Sequence, residues 1–346
     1  TLKTAGTEAV CFFARCAYGW SYYPTEIGFP HPNLSRDLFG DGLKAMKDAG
    51  LRVIAYMAMC SIPEAKANPQ WVARLQDGSF AAGHIAGTVP ACTSTYAQEH
   101  LIPQMLEVAA RYDVDGFFLD GVYQHFRQAC YCDTCRQEFG DVEIPTDDDD
   151  PLWPTWHAWQ RERIYALWGA ASQRVAAAKP GCLVGVNWLG DVRWSVPPPS
   201  DIGYLTGDPP MINCTFESLY HGAAWCWRGK PFDIMNQRML INWQDFTTRT
   251  PESIETDFAF EVAGGGRIFI GDLLTPEDPK PDPEVLSVIA RGFRFANSRA
   301  EALNGYTQSS DVAILSSPES VRGRERRWMV DDSPVRGAFL ATMEAG

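Results

Sequence analysis

Apolar and polar positions along the chain alternate between two periods. Strand-like, largely apolar segments fall at residues 9–14, 52–59, 116–119, 182–186, 232–235 and 267–270, with a further one near 88–92, and 116–119 is the continuous apolar run expected of a buried parallel strand. Between them, segments 38–50, 96–112, 156–178 and 281–302 carry apolar residues at helical spacing. In the second of these, Leu101, Met105, Val108 and Tyr112 share one face, and Pro103 marks either a kink or the true start. The sixth strand has two candidates: 202–205, and a longer run at 211–216 that ends directly in Glu217. Eight strands with intervening helices predict a (β/α)8 TIM barrel over residues 1–306. Residues 307–346 read as an extension or the beginning of a second α/β domain, with a strand at 311–316 and a helix at 333–345.

One strand end stands out. Val114-Asp115-Gly116-Phe117-Phe118-Leu119-Asp120-Gly121 is an apolar strand that closes in a carboxylate followed at once by glycine. In an α/β barrel the C-terminal strand ends form the working face. A carboxylate on a rigid strand tip suits attack at a sugar carbon, with a second carboxyl group moving the proton; the competing reading is a cap for the next turn. Strand-end position selects Glu217 first as the second carboxyl, with Asp208 in its place if 202–205 is the true strand. Asp272 follows the eighth strand and suits a hydroxyl contact or a cap. Asp245 reads as a loop cap.

Aromatic residues after the strands supply faces for a sugar ring: Trp20, Tyr22 and Tyr23 after the first, Trp188 after the fifth, Trp243 after the seventh. Core packing is the alternative for each. Asn187, His125, Arg15 and Arg238 are further candidates for holding substrate hydroxyl or acid groups, or for pairing with neighbouring residues.

Composition narrows the partner. With 346 residues, 45% of them hydrophobic, the chain can bury a large core. A net charge of −13 argues against nucleic acid or an anionic membrane as partner, and leaves a small carbohydrate easy to accommodate. No apolar run approaches the roughly 18–20 residues of a membrane span, and no signal peptide is recognisable, so the cytoplasm is the expected compartment. Among ten cysteines, Cys130, Cys132 and Cys135 lie within six residues. That spacing suits a structural zinc completed by His125 or a distant cysteine, or a loop without metal. Dinucleotide, phosphate-loop and His-Glu-x-x-His motifs are absent from the sequence.

Several regions resemble one family. Phe13-Ala14-Arg15-Cys16-Ala17-Tyr18-Gly19-Trp20 with Tyr22-Tyr23-Pro24-Thr25 is similar to the first-strand region of α-L-fucosidase-like glycoside hydrolases, and the Asp120 segment to the strand end that carries their nucleophile. The Cys130-Tyr131-Cys132 loop with Cys135, and Ile270-Gly271-Asp272, resemble a branch of such barrels often followed by a domain like the β-galactosidase trimerisation domain. The chain departs from the fucosidase pattern by carrying Arg15, Cys16 and Ala17 where that pattern has histidines. The resemblance implies a retaining, fucosidase-like glycosidase that needs no cofactor for catalysis, and it leaves a homo-oligomer open. Two other readings stand beside it: an inverting, sialidase-like enzyme for an acidic sugar read by Arg15 or Arg238, and a non-catalytic carbohydrate-binding barrel.

Overall fold

The computed structural model describes residues 2–58, 68–83, 87–121, 129–147, 149–188, 197–209, 214–243, 245–274, 280–303, 309–317 and 332–345. In chain order the elements are β1 (Ala9–Arg15), β2 (Trp20–Ser21), β3 (Phe29–Pro30), α1 (Leu38–Asp48), β4 (Arg52–Ala58), α2 (Ile102–Arg111), β5 (Gly116–Asp120), α3 (Asp133–Phe139) and α4 (Trp153–Ala178). They continue with β6 (Leu183–Asn187), β7 (Tyr204–Gly207), α5 (Cys214–Trp225), β8 (Phe232–Gln237), α6 (Pro251–Ala263), β9 (Arg267–Gly271), α7 (Pro283–Asn297), α8 (Ala300–Leu303) and α9 (Ser333–Ala345).

All nine strands join one sheet in the order β3-β2-β1-β4-β5-β6-β7-β8-β9. From β1 through β4 to β9 every neighbouring pair is parallel, and β2 adds to β1 antiparallel. Parallel strands need crossovers, and the helices between them provide these. One sheet face packs under those helices: Val53, Ala55, Met57, Phe117, Leu119, Val184, Val186, Leu205 and Ile234 are buried in a shared core with Leu101, Met105, Val108, Ile164 and Trp168. The Met105 and Val108 stripe is core packing, as its spacing predicts.

The other face is lined by the alternate residues. Ile54 pairs with Gly116, Tyr56 with Phe118, and Ala58 with Asp120, so these point the same way. Phe13 packs edge-on against Tyr56 at 4.4 Å, and Tyr56 lies 5.7 Å from Phe118. Across the sheet, Gly185 pairs with Tyr204, and the Tyr204 ring occupies the space a Gly185 side chain would need. That placement lets Tyr204 Oη donate to the Phe117 carbonyl at 3.1 Å.

Three differences from the sequence reading have physical causes. The run near 88–92 is not a sheet strand: β4 pairs directly with β5, and this run forms an isolated antiparallel bridge, Val72 to Ala91. Pro90 brings no N–H to a ladder, and Cys92 is drawn among other thiols. The sixth strand lies at Tyr204–Gly207, between β6 and β8, whereas the described part of 211–216 starts α5. Segment 311–316 forms no strand; it runs without a neighbour in the sheet, and Leu315 is 95% exposed. Helix α2 begins at Ile102 with Pro103 in its first turn, and a π-type turn over Ala97–Leu101 precedes it. Proline is tolerated there because first-turn N–H groups have no helical acceptor.

The close fit of the Tyr204 ring over Gly185 yields a test. Gly185→Ala forces the ring aside and should cost about 1–3 kcal/mol of stability in urea unfolding. An unchanged midpoint would contradict this packing.

Candidate active site

Four neighbouring strand ends deliver polar side chains to one rim. Asp120 closes β5, Asn187 closes β6, Asp208 follows β7 and Gln237 closes β8. Gly121, with φ of 96°, turns the chain sharply after Asp120, a backbone conformation that favours glycine. Tyr56 Oη donates to Asp120 Oδ2 at 2.5 Å, and Asn187 Nδ2 donates to Asp120 Oδ1 at 2.9 Å. The same Asn187 nitrogen donates to Asp208 Oδ2 at 3.2 Å. One atom thus bridges two carboxyl groups, and the bridged oxygens stand no more than about 6 Å apart, the two bonds laid end to end. Gln237 Nε2 holds the other Asp208 oxygen at 3.0 Å.

These two acids differ in surroundings. Burial pushes the Asp208 carboxyl up to about 7, and the charge of Asp120 adds to that shift against the hydrogen bonds from Asn187 and Gln237. Asp208 therefore keeps its proton up to about neutral pH while its neighbour accepts hydrogen bonds from two donors. A third acid, Asp233, faces the same side within β8, paired in register with Thr206; burial raises it to about 7 as well. Two carboxyl groups bridged at this distance, one of them protonated, can attack an electrophilic carbon and transfer a proton to its leaving group.

Trp243 borders the rim. Its ring lies where a side chain at Gly271 would stand, and Gly271 pairs in register with Gln237. Phe13, 40% exposed, and Tyr56 continue an aromatic surface beneath Asp120.

Other residues singled out in the sequence are engaged elsewhere. Glu217 lies in the first turn of α5, not at a strand end, because the sixth strand ends ten residues before it. It is 5% exposed and pairs with Arg336 of α9 and with His221 at 3.3 Å. Asp272 pairs with Arg238, whose remaining donors hold the carbonyls of Phe246, Thr247 and Leu273 and the Thr248 hydroxyl. Both residues tie the loop after β8 to the end of β9. Tyr23 is buried and donates to Glu107 at 2.9 Å. Trp188 is buried 5.7 Å from Trp168 in the helix layer. Trp20 and Tyr22 pack around His31. Arg15 is buried beside β4, donating to the Ala58 carbonyl. Asp245 caps the loop, accepting from the N–H groups of Ile241, Asn242 and Thr247. His125 lies outside the described residues.

Sequence reasoning missed Tyr56, Gln237 and Asp233. The available signal was alternation: a polar residue inside an apolar strand, in phase with a strand-end acid, faces the same side.

The cysteine loop gains a partner. Cys92, from the 88–92 segment, joins Cys130, Cys132 and Cys135, with all four sulfurs within 4.8 Å of one another. Cys92 stands 3.6 Å from Cys132 and 3.5 Å from Cys135. The Arg74 backbone N–H donates to Cys130 Sγ at 3.4 Å and Arg163 Nη1 to Cys135 Sγ at 3.5 Å. Such a set of four sulfurs can hold a metal ion.

Residues 1–121 match the sequence model of a family described as hypothetical glycosyl hydrolase 6. No curated protein matches the sequence. Among solved structures, the chain is similar to α-L-fucosidase isoenzyme 2 from Paenibacillus thiaminolyticus, with 23% identity, a TM-score of 0.78, and coverage of 91% of this chain and 48% of that one. It is also similar to a β-galactosidase from Rahnella sp. R3, with 16% identity, a TM-score of 0.71, and coverage of 94% and 56%. A third is the β-galactosidase of Halorubrum lacusprofundi, with 14% identity, a TM-score of 0.63, and coverage of 89% and 56%. The chain spans about half the length of these structures. At such identities the likeness is one of fold, and the matched family and these neighbours are glycosidases.

The raised Asp208 carboxyl has a consequence for stability. Unfolded aspartate releases its proton near pH 4, whereas folded Asp208 keeps it to about 7. Its contribution to stability is present below about pH 4 and is lost as the pH rises through 7. Urea midpoints should fall between pH 4 and 7.5 more steeply in the wild type than in Asp208→Asn, with Asp233 keeping part of the slope in both. Parallel pH dependence of the two proteins would contradict the assignment.

Proposed function

We propose that the protein is a glycoside hydrolase that cleaves a terminal glycosidic bond by a retaining two-carboxylate mechanism, with Asp120 as nucleophile and Asp208 as acid and base. The observation that carries this reading is the single Asn187 nitrogen bonded to both carboxyl groups. Their separation fits the roughly 5–5.5 Å of retaining enzymes better than the roughly 6.5–9.5 Å that admits a water in inverting ones. In this reading the sheet is the wall of a (β/α)8-type barrel, and the rim at Asp120, Asn187, Asp208 and Gln237 is its working face. Helix α9 then packs on α5 as an extension of the barrel.

Asp120 attacks the anomeric carbon while Asp208 gives its proton to the leaving oxygen, forming a glycosyl ester on Asp120. Asp208, now ionised, takes a proton from water, which attacks the same carbon, releases Asp120 and restores the original anomer. Asn187 and Tyr56 orient the nucleophile, and Trp243 with Phe13 offers apolar faces to the sugar. The first substrates to test are an α-L-fucoside and a β-galactoside, the sugars of the structurally similar enzymes.

Four thiols from two segments form a tetrahedral-sized cage: zinc–sulfur bonds near 2.3 Å require sulfurs about 3.8 Å apart, close to the separations from Cys92. We infer a structural zinc held by Cys92, Cys130, Cys132 and Cys135. It joins the 88–92 segment to the loop after β5, behind the nucleophile's strand.

Asp120→Asn should lower kcat by about 10⁴-fold or more while retaining the fold. Asp208→Asn should lower it by ~10²–10⁴-fold for a poor leaving group and much less for dinitrophenol, which needs no proton. Wild-type activity should fall as the pH rises through about 7, because Asp208 ionises. Equal losses for good and poor leaving groups would remove Asp208 from the acid role. For the zinc, elemental analysis should find one equivalent per chain in the wild type and none in Cys92→Ser. Stoichiometric metal in the variant, or none in the wild type purified under reducing conditions, would contradict the site.

A further inference from the structure

Arg15 closes β1, and its surroundings differ from those of every other arginine described. A bulge separates two register pairs: Phe13 faces Tyr56, but the next pair is Arg15 with Met57. The additional residue turns Arg15 away from the rim and toward the π-type turn before α2. Its guanidinium is 0% exposed and lies 5.7 Å from the Tyr96 ring centre. Nη1 donates to the Ala58 carbonyl, while Nε and Nη2 have no acceptor among the described residues. Among the described residues no carboxylate comes within 4.0 Å of it, in a chain that carries 43 acids.

A buried cation with two idle donors is an energetic anomaly, because its desolvation is offset by neither a counter-charge nor a full set of hydrogen bonds. His100, 5.3 Å from the same Tyr96 ring, does not compensate. His100 is pushed down to about 3 by burial and by the Arg15 charge, so it is a neutral ring, and its Nε2 is likewise buried without a partner. His100 packs 4.7 Å from Trp71 and 5.5 Å from Phe29, which closes this side with aromatic surface. Among the described residues, three buried nitrogens on either side of Tyr96 thus lack acceptors.

We propose that Arg15, with His100, forms an internal anion site that takes a small inorganic anion of halide type, accepting hydrogen bonds from Arg15 Nε and Nη2 and from His100 Nε2. The complete burial favours a monatomic ion over a sugar carboxylate, and the bulge points the guanidinium off the rim where a glycoside would bind. Ala58, which Arg15 holds, is the register partner of Asp120, so the anion stands behind the strand next to the nucleophile. The site is independent of the hydrolase reading, since ion binding is measured without a glycoside.

The test uses sodium bromide on the full chain. Crystals grown in bromide should show an anomalous peak within hydrogen-bond distance of Arg15. The melting temperature should rise, saturably and on the order of a few degrees, as bromide replaces isethionate at constant ionic strength. Arg15→Met should lose that response; if this variant does not fold, the wild-type anomalous map decides alone. No peak beside Arg15, or equal bromide responses in wild type and Arg15→Met, overturns the proposal. So does calorimetric binding of sodium glucuronate that depends on Arg15 and is indifferent to bromide, because the arginine would then read a substrate carboxylate.

Discussion

The site depends on one amide. Asn187 Nδ2 donates to a carboxylate on each side, and those carboxylates come from strands that are not neighbours, β5 and the end of β7. β6 lies between them, so the register of three parallel strands decides whether the two acids meet. Ala58 aligns with Asp120, and Asn187 with Thr206, two residues before Asp208. A slip of one residue in either pairing would turn Asp120 or Asn187 to the helix side. Rigidity of the buried sheet is therefore what converts strand order into a fixed spacing between reactive groups. The same enclosure that fixes Asp208 also raises its proton affinity, so packing and chemistry share one cause.

Around this centre, several charged residues act as ties. Arg238 spends its donors on Asp272 and on loop carbonyls, which fixes the Trp243 loop over the end of β9. Arg336 stacks 4.6 Å from the Tyr220 ring and pairs with Glu217 and Asp332, which docks α9 onto α5. Phe339 packs against Phe216 and Tyr220 on the same surface. Buried ion pairs of this kind stabilise little over apolar packing but are costly to break from one side. Their value here is positional.

Legibility in the sequence followed the physics of each segment. β5 was readable because a strand buried on both faces must be apolar throughout, leaving Asp120 conspicuous at its end. The sixth strand stays open in the sequence, because 211–216 also carries Met211, Ile212, Cys214 and Phe216, and a short, largely apolar segment is equally consistent with the start of a buried helix. An acid that follows such a segment is equally at home in a helix first turn, where Glu217 lies. The run at 88–92 imitated a strand because Val89 and Ala91 are buried in the main core and Cys92 among the other thiols, contacts between distant segments that local pattern cannot display. Tyr56 and Gln237 escaped notice since their role depends on register across strands. Cys92 escaped for the same reason: forty residues separate it from the loop it joins.

The central claim is that Asp120 becomes covalently bonded to the sugar while Asp208 moves the proton. The most direct measurement is reaction with an activated 2-deoxy-2-fluoro glycoside of an accepted sugar, followed by intact mass and peptide mapping. The account predicts one fluorosugar per chain, carried as an ester on Asp120. Labelling of Glu217 or another carboxylate, or steady turnover to the inverted product with no adduct, would contradict it.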